Sequence, residues 1–250
     1  ALVVFLLRGG DNSSETTAAE TASESAVESS TAVSSSTPAT TDADASKPST
    51  ADGAEGGKDS SSPASSSTVE MTPNTLLLVD TSANMTAMFD ATQQALSGTA
   101  GKLSHNNSQV ALWNYSSPIS EAATVGYRDN LGFGNGAAVP ETLAAFGTGG
   151  VPQSRSATIA ALNTAADQAA GTNRKARVLL VTTGTELDMD DAQFAAALDG
   201  AKSDNVELSV VHVGPGAVDE QLKTAADNFT SVDAGTQEDF NAAMDKAAGV

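Results

Sequence analysis

Thr75-Leu76-Leu77-Leu78-Val79-Asp80-Thr81-Ser82-Ala83-Asn84-Met85 is the stretch on which the fold turns. Its successive apolar residues, Leu76 to Val79, predict a strand covered on both faces, and Asp80 with the small polar run after it marks where that strand surfaces. In an open parallel sheet that end is where ligands sit, between strand tips and helix N-termini. Asp80, Ser82 and Asn84 alternate, so the loop can aim three oxygen-bearing side chains at one place. Hard oxygen donors grouped this way suit Mg²⁺ or a similar cation. A plainer reading stays open beside it: Asp80 ends the strand, and Ser82 or Asn84 caps the following helix.

Working outward, strand and helix patterns alternate to the end of the chain. Met85, Met88, Phe89 and Leu96 predict a helix from Met85 to about Ala100, ending at Gly98 or Gly101. Gln109–Tyr115 reads as a strand, and Glu121–Tyr127 as a short one pairing with it antiparallel after the break at Pro118. A Gly-rich loop follows, Gly132-Phe133-Gly134-Asn135-Gly136, without the spacing or the preceding strand of a dinucleotide loop. Helices are expected around Pro140–Phe146, over Ser156–Ala170, over Asp191–Lys202 behind an Asp190 cap, and over Val218–Asn228 and Thr236–Ala248. Arg177–Val181 and Val206–Val213 read as further buried strands, with Phe229–Val232 a short edge strand. This order predicts an α/β fold, a doubly wound and mostly parallel sheet with helices on both faces and one antiparallel edge strand.

The loop Asp80-Thr81-Ser82-Ala83-Asn84 resembles the Asp-x-Ser-x-Ser loop of von Willebrand factor A domains, with Asn84 in the last place. The likeness extends over essentially all of residues 73–250. It includes the hairpin after the first helix, Gly149-Gly150-Val151-Pro152 before an Ala-rich helix, and Val178-Leu179-Leu180-Val181-Thr182-Thr183-Gly184, similar to that family's strand ending in Thr-Asp-Gly. Val206-Glu207-Leu208-Ser209-Val210-Val211-His212-Val213-Gly214 fits its penultimate strand. The resemblance implies a metal-ion-dependent adhesion site, in which a bound cation completes its coordination with a carboxylate from a protein partner. Asp80, Ser82 and Asn84 then stand as metal ligands. Val151 occupies the place of a ligating Thr, with Ser154 or Ser156 as substitutes if the loop shifts, and Thr183 occupies the place of the second Asp. One carboxylate remains of two, so Mg²⁺, Mn²⁺ or Ca²⁺ is expected to bind weakly or not at all. Glu186 and Asp188 follow closely and either return charge to the site or form a solvated acidic loop.

Composition narrows the function. The chain has 12 basic and 31 acidic residues, a formal charge of −19, and no basic patch that would neutralise phosphates, so nucleic acid is excluded as a partner. There is no cysteine and there are two histidines, which leaves little material for thiolate metal sites or Ser-His relays. His212 falls within an apolar strand and reads as packed, His105 in a polar loop reads as solvated, and Trp113 and Tyr115 read as core. The basic run Arg174-Lys175-Ala176-Arg177 follows a helix C-terminus, where cations are favoured by the helix dipole.

Ala1 to Leu7 is wholly apolar and is followed by Arg8-Gly9-Gly10. Residues 1–10 are read as the tail of a transmembrane helix, since a span needs about 20 residues; a trimmed signal peptide is the alternative. The acidic flank places the folded part outside the cytoplasm. Residues 11–72 are rich in Ser, Thr, Ala and Glu and are expected to be a disordered tether, because they lack the apolar surface to offset chain entropy. Residues 73–250 are the expected domain. Two functions fit. The first is a membrane-anchored, single-pass, extracytoplasmic module that docks a protein partner in the membrane or cell envelope at its strand tips, through Asp80, Ser82, Asn84, Val151, Ser154 and Thr183. The second is a Rossmann-like hydrolase or nucleotide-dependent enzyme using the same crevice, although neither Gly-x-Gly-x-x-Gly nor a P-loop is present.

Overall fold

Six strands make one sheet: β1 (Asn74–Asp80), β2 (Gln109–Tyr115), β3 (Tyr127–Gly134), β4 (Ala176–Thr182), β5 (Val206–Val213) and β6 (Asn228–Val232). They lie in the order β3-β2-β1-β4-β5-β6. The computed structural model describes residues 68–118, 120, 122–233 and 235–250. Every neighbouring pair is parallel except β2 and β3, so the one antiparallel strand lies on an edge, as expected. The helices are α1 (Phe89–His105), α2 (Val139–Ala144), α3 (Ser154–Thr172), α4 (Asp191–Ala201), α5 (Glu220–Ala225) and α6 (Gln237–Ala248).

The continuous apolar runs are explained by position. β1 and β4 are central, and every residue of both is buried. Leu77, Val79, Leu179 and Val181 face the layer made by α1, α2 and α6, while Leu76, Leu78, Val178 and Leu180 face α3, α4 and α5. Burying each such side chain contributes about 1.5–3 kcal/mol, which makes the two central strands the main source of cohesion. Edges are handled differently. Trp113 stacks on Tyr127 with centroids 5.7 Å apart and planes 5° from parallel. That pair pins the register of β3, most of whose residues are partly or fully exposed.

Several boundaries differ from the sequence reading. Strand β3 starts at Tyr127 and runs through Gly132 and Gly134, so the first part of the expected Gly-rich loop is strand, and residues 122–126 of the expected Glu121–Tyr127 strand are loop. Leu131 packs on the core under α1, α2 and α6 and Phe133 on the opposite core, so the segment is anchored on both sides of the sheet, although regular alternation would put residues two apart on one face. Helix α1 passes both Gly98 and Gly101, held by buried Leu96, Ala100 and Leu103 and by Thr99 donating to Asp245 of α6 at 2.9 Å. Its expected first turn is instead a separate 3-10 turn at Ala83–Met85. Helix α5 starts later than predicted because Asp219, accepting from Gln221 N and Leu222 N, caps it, and it stops at Ala225 ahead of β6, which opens at Asn228. Helices α4 and α6 open with capping boxes, Asp190 with Gln193 and Thr236 with Asp239.

The basic run is divided by the fold. Asn173 ends α3 in the left-handed region at φ 52°. Arg177 does not serve that helix end: it is a fully buried residue of β4. Its guanidinium donates to Ala248 O at 2.6 Å and Glu70 O at 2.7 Å, and pairs with Glu207 at 2.5 Å. The end of α6 and residues 70–72 are thus tied to the sheet, with Thr72 also buried.

The membrane-anchored, single-pass placement is corrected. Among the described residues no helix is long and apolar enough to cross a membrane. Ala1–Gly10 and the expected tether through residue 67 lie outside the described residues.

Candidate functional site

Strand order reverses at the centre: from β1 the chain goes out through β2 and β3, then returns to β4 on the other side of β1. Such a switch point opens a crevice at the carboxyl ends of the two strands. Asp80 stands there at the tip of β1, fully buried. Its Oδ1 accepts from Ser82 N at 2.7 Å, and its Oδ2 accepts from Thr183 N at 3.0 Å and Thr183 Oγ1 at 2.5 Å. Burial pushes the carboxyl above its ordinary range, against the opposing pull of the bonds from Thr183 and Ser82. Asp80 and Thr183 therefore meet, linking the tips of β1 and β4.

The other predicted residues surround this pair unevenly. Ser82 is buried, and its Oγ has no partner among the described residues. Asn84 is exposed and its Nδ2 donates to Glu186 Oε1 at 2.7 Å, so its side chain serves the rim. Ser154 is buried but committed elsewhere, bonded to the Tyr115 hydroxyl at 3.0 Å, Thr182 Oγ1 at 3.0 Å and Gly184 O at 2.5 Å. Val151 contributes its backbone N, which donates to Ser117 Oγ at 3.1 Å. Ser156 is drawn away by Asp188, whose Oδ2 accepts from Ser156 N at 3.0 Å.

Backbone bonds join the loops into one rim. Gly149 N donates to Thr81 O at 2.8 Å, Ala83 N to Gly150 O at 2.9 Å, and Glu186 N to Pro152 O at 2.8 Å. Gly150 is required here: its φ is +74°, and a Cβ would stand 2.5 Å from Ser117 Oγ. Arg155 fastens the far end, donating to Asp219 through Nε at 2.8 Å and NH2 at 3.0 Å, and pairing with Asp191 at 2.8 Å. Burial would raise the Asp219 carboxyl, but the guanidinium holds it below the usual carboxylate range.

The von Willebrand factor type A domain profile matches residues 74–247. The chain belongs to the von Willebrand factor type A family. No curated protein matches it in sequence. This vWA domain superposes on the pilus adhesin SpaC of Lactobacillus rhamnosus GG in its open conformation with a TM-score of 0.57 at 13% identity, over 73% of this chain and 30% of the adhesin. On the vWF domain of the type V pili tip protein Mfa5 from Porphyromonas gingivalis the TM-score is 0.56 at 10% identity, covering 72% and 95%. On the SpRpn10 VWA domain it is 0.56 at 12% identity, covering 72% and 99%. Identities this low speak for the fold alone, and the chain spans less than a third of the adhesin.

A divalent cation in this vWA domain finds few donors. Mg²⁺ takes octahedral oxygen coordination and is usually held through carboxylates. Here both oxygens of Asp80 are engaged, Ser154 is turned into the core, Val151 has no side-chain oxygen, and among the described residues no group of three His, Cys, Asp or Glu could hold a metal. Ser82 Oγ and Thr185 Oγ1 are the buried side-chain oxygens without a hydrogen-bond partner among the described residues. Two neutral hydroxyls without a free carboxylate do not fit a divalent-ion site.

His212 is buried with neither ring nitrogen hydrogen-bonded among the described residues, so no hydroxyl is poised on it as a nucleophile.

Two residues passed over in the sequence define the rim better than the ligand set. Val125, 48% exposed, and Leu187, 82% exposed, are the exposed large hydrophobics of the described residues. Val125 lies in the loop after β2 and Leu187 in the loop after β4, so both stand at the carboxyl edge of the sheet. Leu187 sits at φ 49°, a left-handed conformation that costs a leucine about 1–2 kcal/mol. Its carbonyl is held by Gln153 Nε2 at 2.8 Å. A lone Leu between Glu186 and Asp188 was the available signal.

Proposed function

We propose that this vWA domain is a protein-binding module that docks its partner on the strand-tip rim, through an apolar contact at Val125 and Leu187 and without a resident divalent cation. The observation that carries the reading is the placement of those two side chains. Exposed large hydrophobes are otherwise missing from the described surface, and both stand at the edge where an open α/β sheet takes ligands. A leucine held at positive φ in an acidic loop contributes nothing to the core and suits insertion into an apolar socket of another protein. Asp80, Thr183 and Ser82 support the rim from beneath by fixing the loops, and Asn84, Glu186 and Gln153 supply its polar surround. The pilus proteins among the structural neighbours agree in kind with such a module.

Site-specific photocrosslinkers at 125, 187 and, as control, 174 at the opposite rim test this in the full chain. Adducts to one partner from 125 and 187, absent from 174 and unchanged by EDTA, are expected. Adducts from 174 instead, or their loss in EDTA, overturn the reading.

A further inference from the structure

Four clefts on the described residues differ in one respect. Lys175 shares its cleft with Glu207, Arg155 with Asp219, and Lys246 with Asp239. The fourth cleft, about 350 Å³, is lined by Arg128 with no carboxylate among the described residues. In a chain with 31 acidic and 12 basic residues, a cleft holding a cation and no acid stands apart.

Its position follows from the hairpin. Arg128 lies opposite Asn114 in the β2–β3 register, on the face of the sheet covered by α1 and α2. Phe146, Gly147 and Thr148, just after α2, form the far wall. Asp129 pairs with Trp113, whose ring belongs to the core on the other face, so strand alternation directs its carboxylate away from the cleft. The amides on the floor are already committed. Asn130 Nδ2 donates to Asn114 Oδ1 at 2.9 Å and Arg128 O at 3.1 Å, and Asn114 Nδ2 donates to Thr81 Oγ1 at 3.0 Å. Arg128 makes neither a salt bridge nor a side-chain hydrogen bond among the described residues. A planar fork of five donors is left facing solvent over a fixed polar floor.

We propose that this cleft binds a carboxylate, carried by an acidic side chain or chain end of the docked partner. The source of the carboxylate rests on the strand-tip reading above; the chemistry of the cleft does not. One guanidinium balances a monoanion in a bidentate pair. Among the described residues no second cation lines the cleft for a phosphate dianion. Ala145 and Phe146 offer apolar surface to the methylenes of a Glu side chain. The cleft adjoins Thr81 and Gly149 of the rim, so one partner surface can reach both.

The test is an NMR titration of the full chain with three probes: N-acetylglutamate amide, an end-capped hexapeptide whose one Glu is its sole charge and is flanked by aromatic residues that mimic a leucine socket, and inorganic phosphate. Saturable shifts of the Asn130 and Thr148 amides with both carboxylate probes are expected, with phosphate at least tenfold weaker. Arg128→Gln is expected to weaken both carboxylate probes at least tenfold while melting like the parent, since Arg128 is exposed. Absence of saturable shifts, equal binding of phosphate, or indifference to Arg128→Gln overturns the site and leaves the crosslinking result at 125 and 187 standing. Tighter binding of the peptide that is lost in Leu187→Ser supports the partner as source. A peptide no tighter than the free amino-acid probe overturns that source, with the carboxylate site itself upheld by Arg128→Gln.

Discussion

Thr183 grips Asp80 with two donors on one oxygen: its backbone N at 3.0 Å and its Oγ1 at 2.5 Å, both on Oδ2. A side chain at the tip of β4 thus satisfies the buried carboxylate at the tip of β1.

Removing the hydroxyl isolates that bond. Thr183→Val keeps the shape and the backbone donor, and we expect a loss of about 2 kcal/mol, the usual worth of a hydrogen bond to a charged group. Chemical denaturation with an unchanged m-value checks it. No loss would mean that Asp80 is protonated or otherwise satisfied.

Divalent ions should do nothing measurable to the parent. Millimolar Mg²⁺, Mn²⁺ or Ca²⁺, and EDTA, are expected to shift the melting temperature by less than about 1 °C, because ligand stabilisation requires binding to the native state. Thr183→Asp should behave oppositely. It sets a second carboxylate against Asp80, destabilises the apo protein by like-charge repulsion, and regains stability on adding Mg²⁺. A parent that stabilises with Mg²⁺ as strongly as this variant would refute metal-independent docking.

Arg155 and Asp219 form a nearly buried pair, with side chains 12% and 3% exposed. Asp219→Asn leaves the guanidinium under-paired and is expected to cost about 3 kcal/mol. Because the folded carboxyl titrates below its unfolded value of 3.8, the stability it supplies is full above that pH and lost as pH falls through the lower folded value. Acid unfolding of the variant should show a shallower slope in that window.

His212 gives a second pH signature. Burial lowers its pKa from 6.5, against weaker opposing contributions that include Asp233, so the neutral ring is the folded form. Its contribution is complete above pH 6.5 and declines as pH falls toward the lower folded value. Denaturation between pH 7.5 and 5 should lose stability in the parent and lose less in His212→Val. Equal slopes would show that the ring titrates normally.

Much of the fold was legible because burial leaves a local trace. Leu76–Val79 and Val178–Val181 are continuous apolar runs and Val206–Val213 a largely apolar one, as strands covered on both faces require. The cap of α4 was legible for the same local reason, since Asp190 bonds to a group three residues away. Asp80 and Thr183, 103 positions apart, were brought to one site only through the likeness of their motifs. Local reading failed where a distant contact outweighed propensity. Gly98 and Gly101 remain helical because α1 packs on α6, and Gly132 and Gly134 lie in a strand fixed by Leu131, Phe133 and the stacked Trp113 and Tyr127.

The sequence by itself determined the strand–helix order, the central hydrophobic layers and the presence of a lone carboxylate at the first strand tip. Tertiary structure decided what that carboxylate meets, that Ser154 turns inward and Asn84 outward, and that Val125, Leu187 and Arg128 stand on one edge. The reason is physical: periodicity reports which face a residue buries, whereas side-chain partners and exposure at loop tips depend on atoms that only folding brings within a few ångströms.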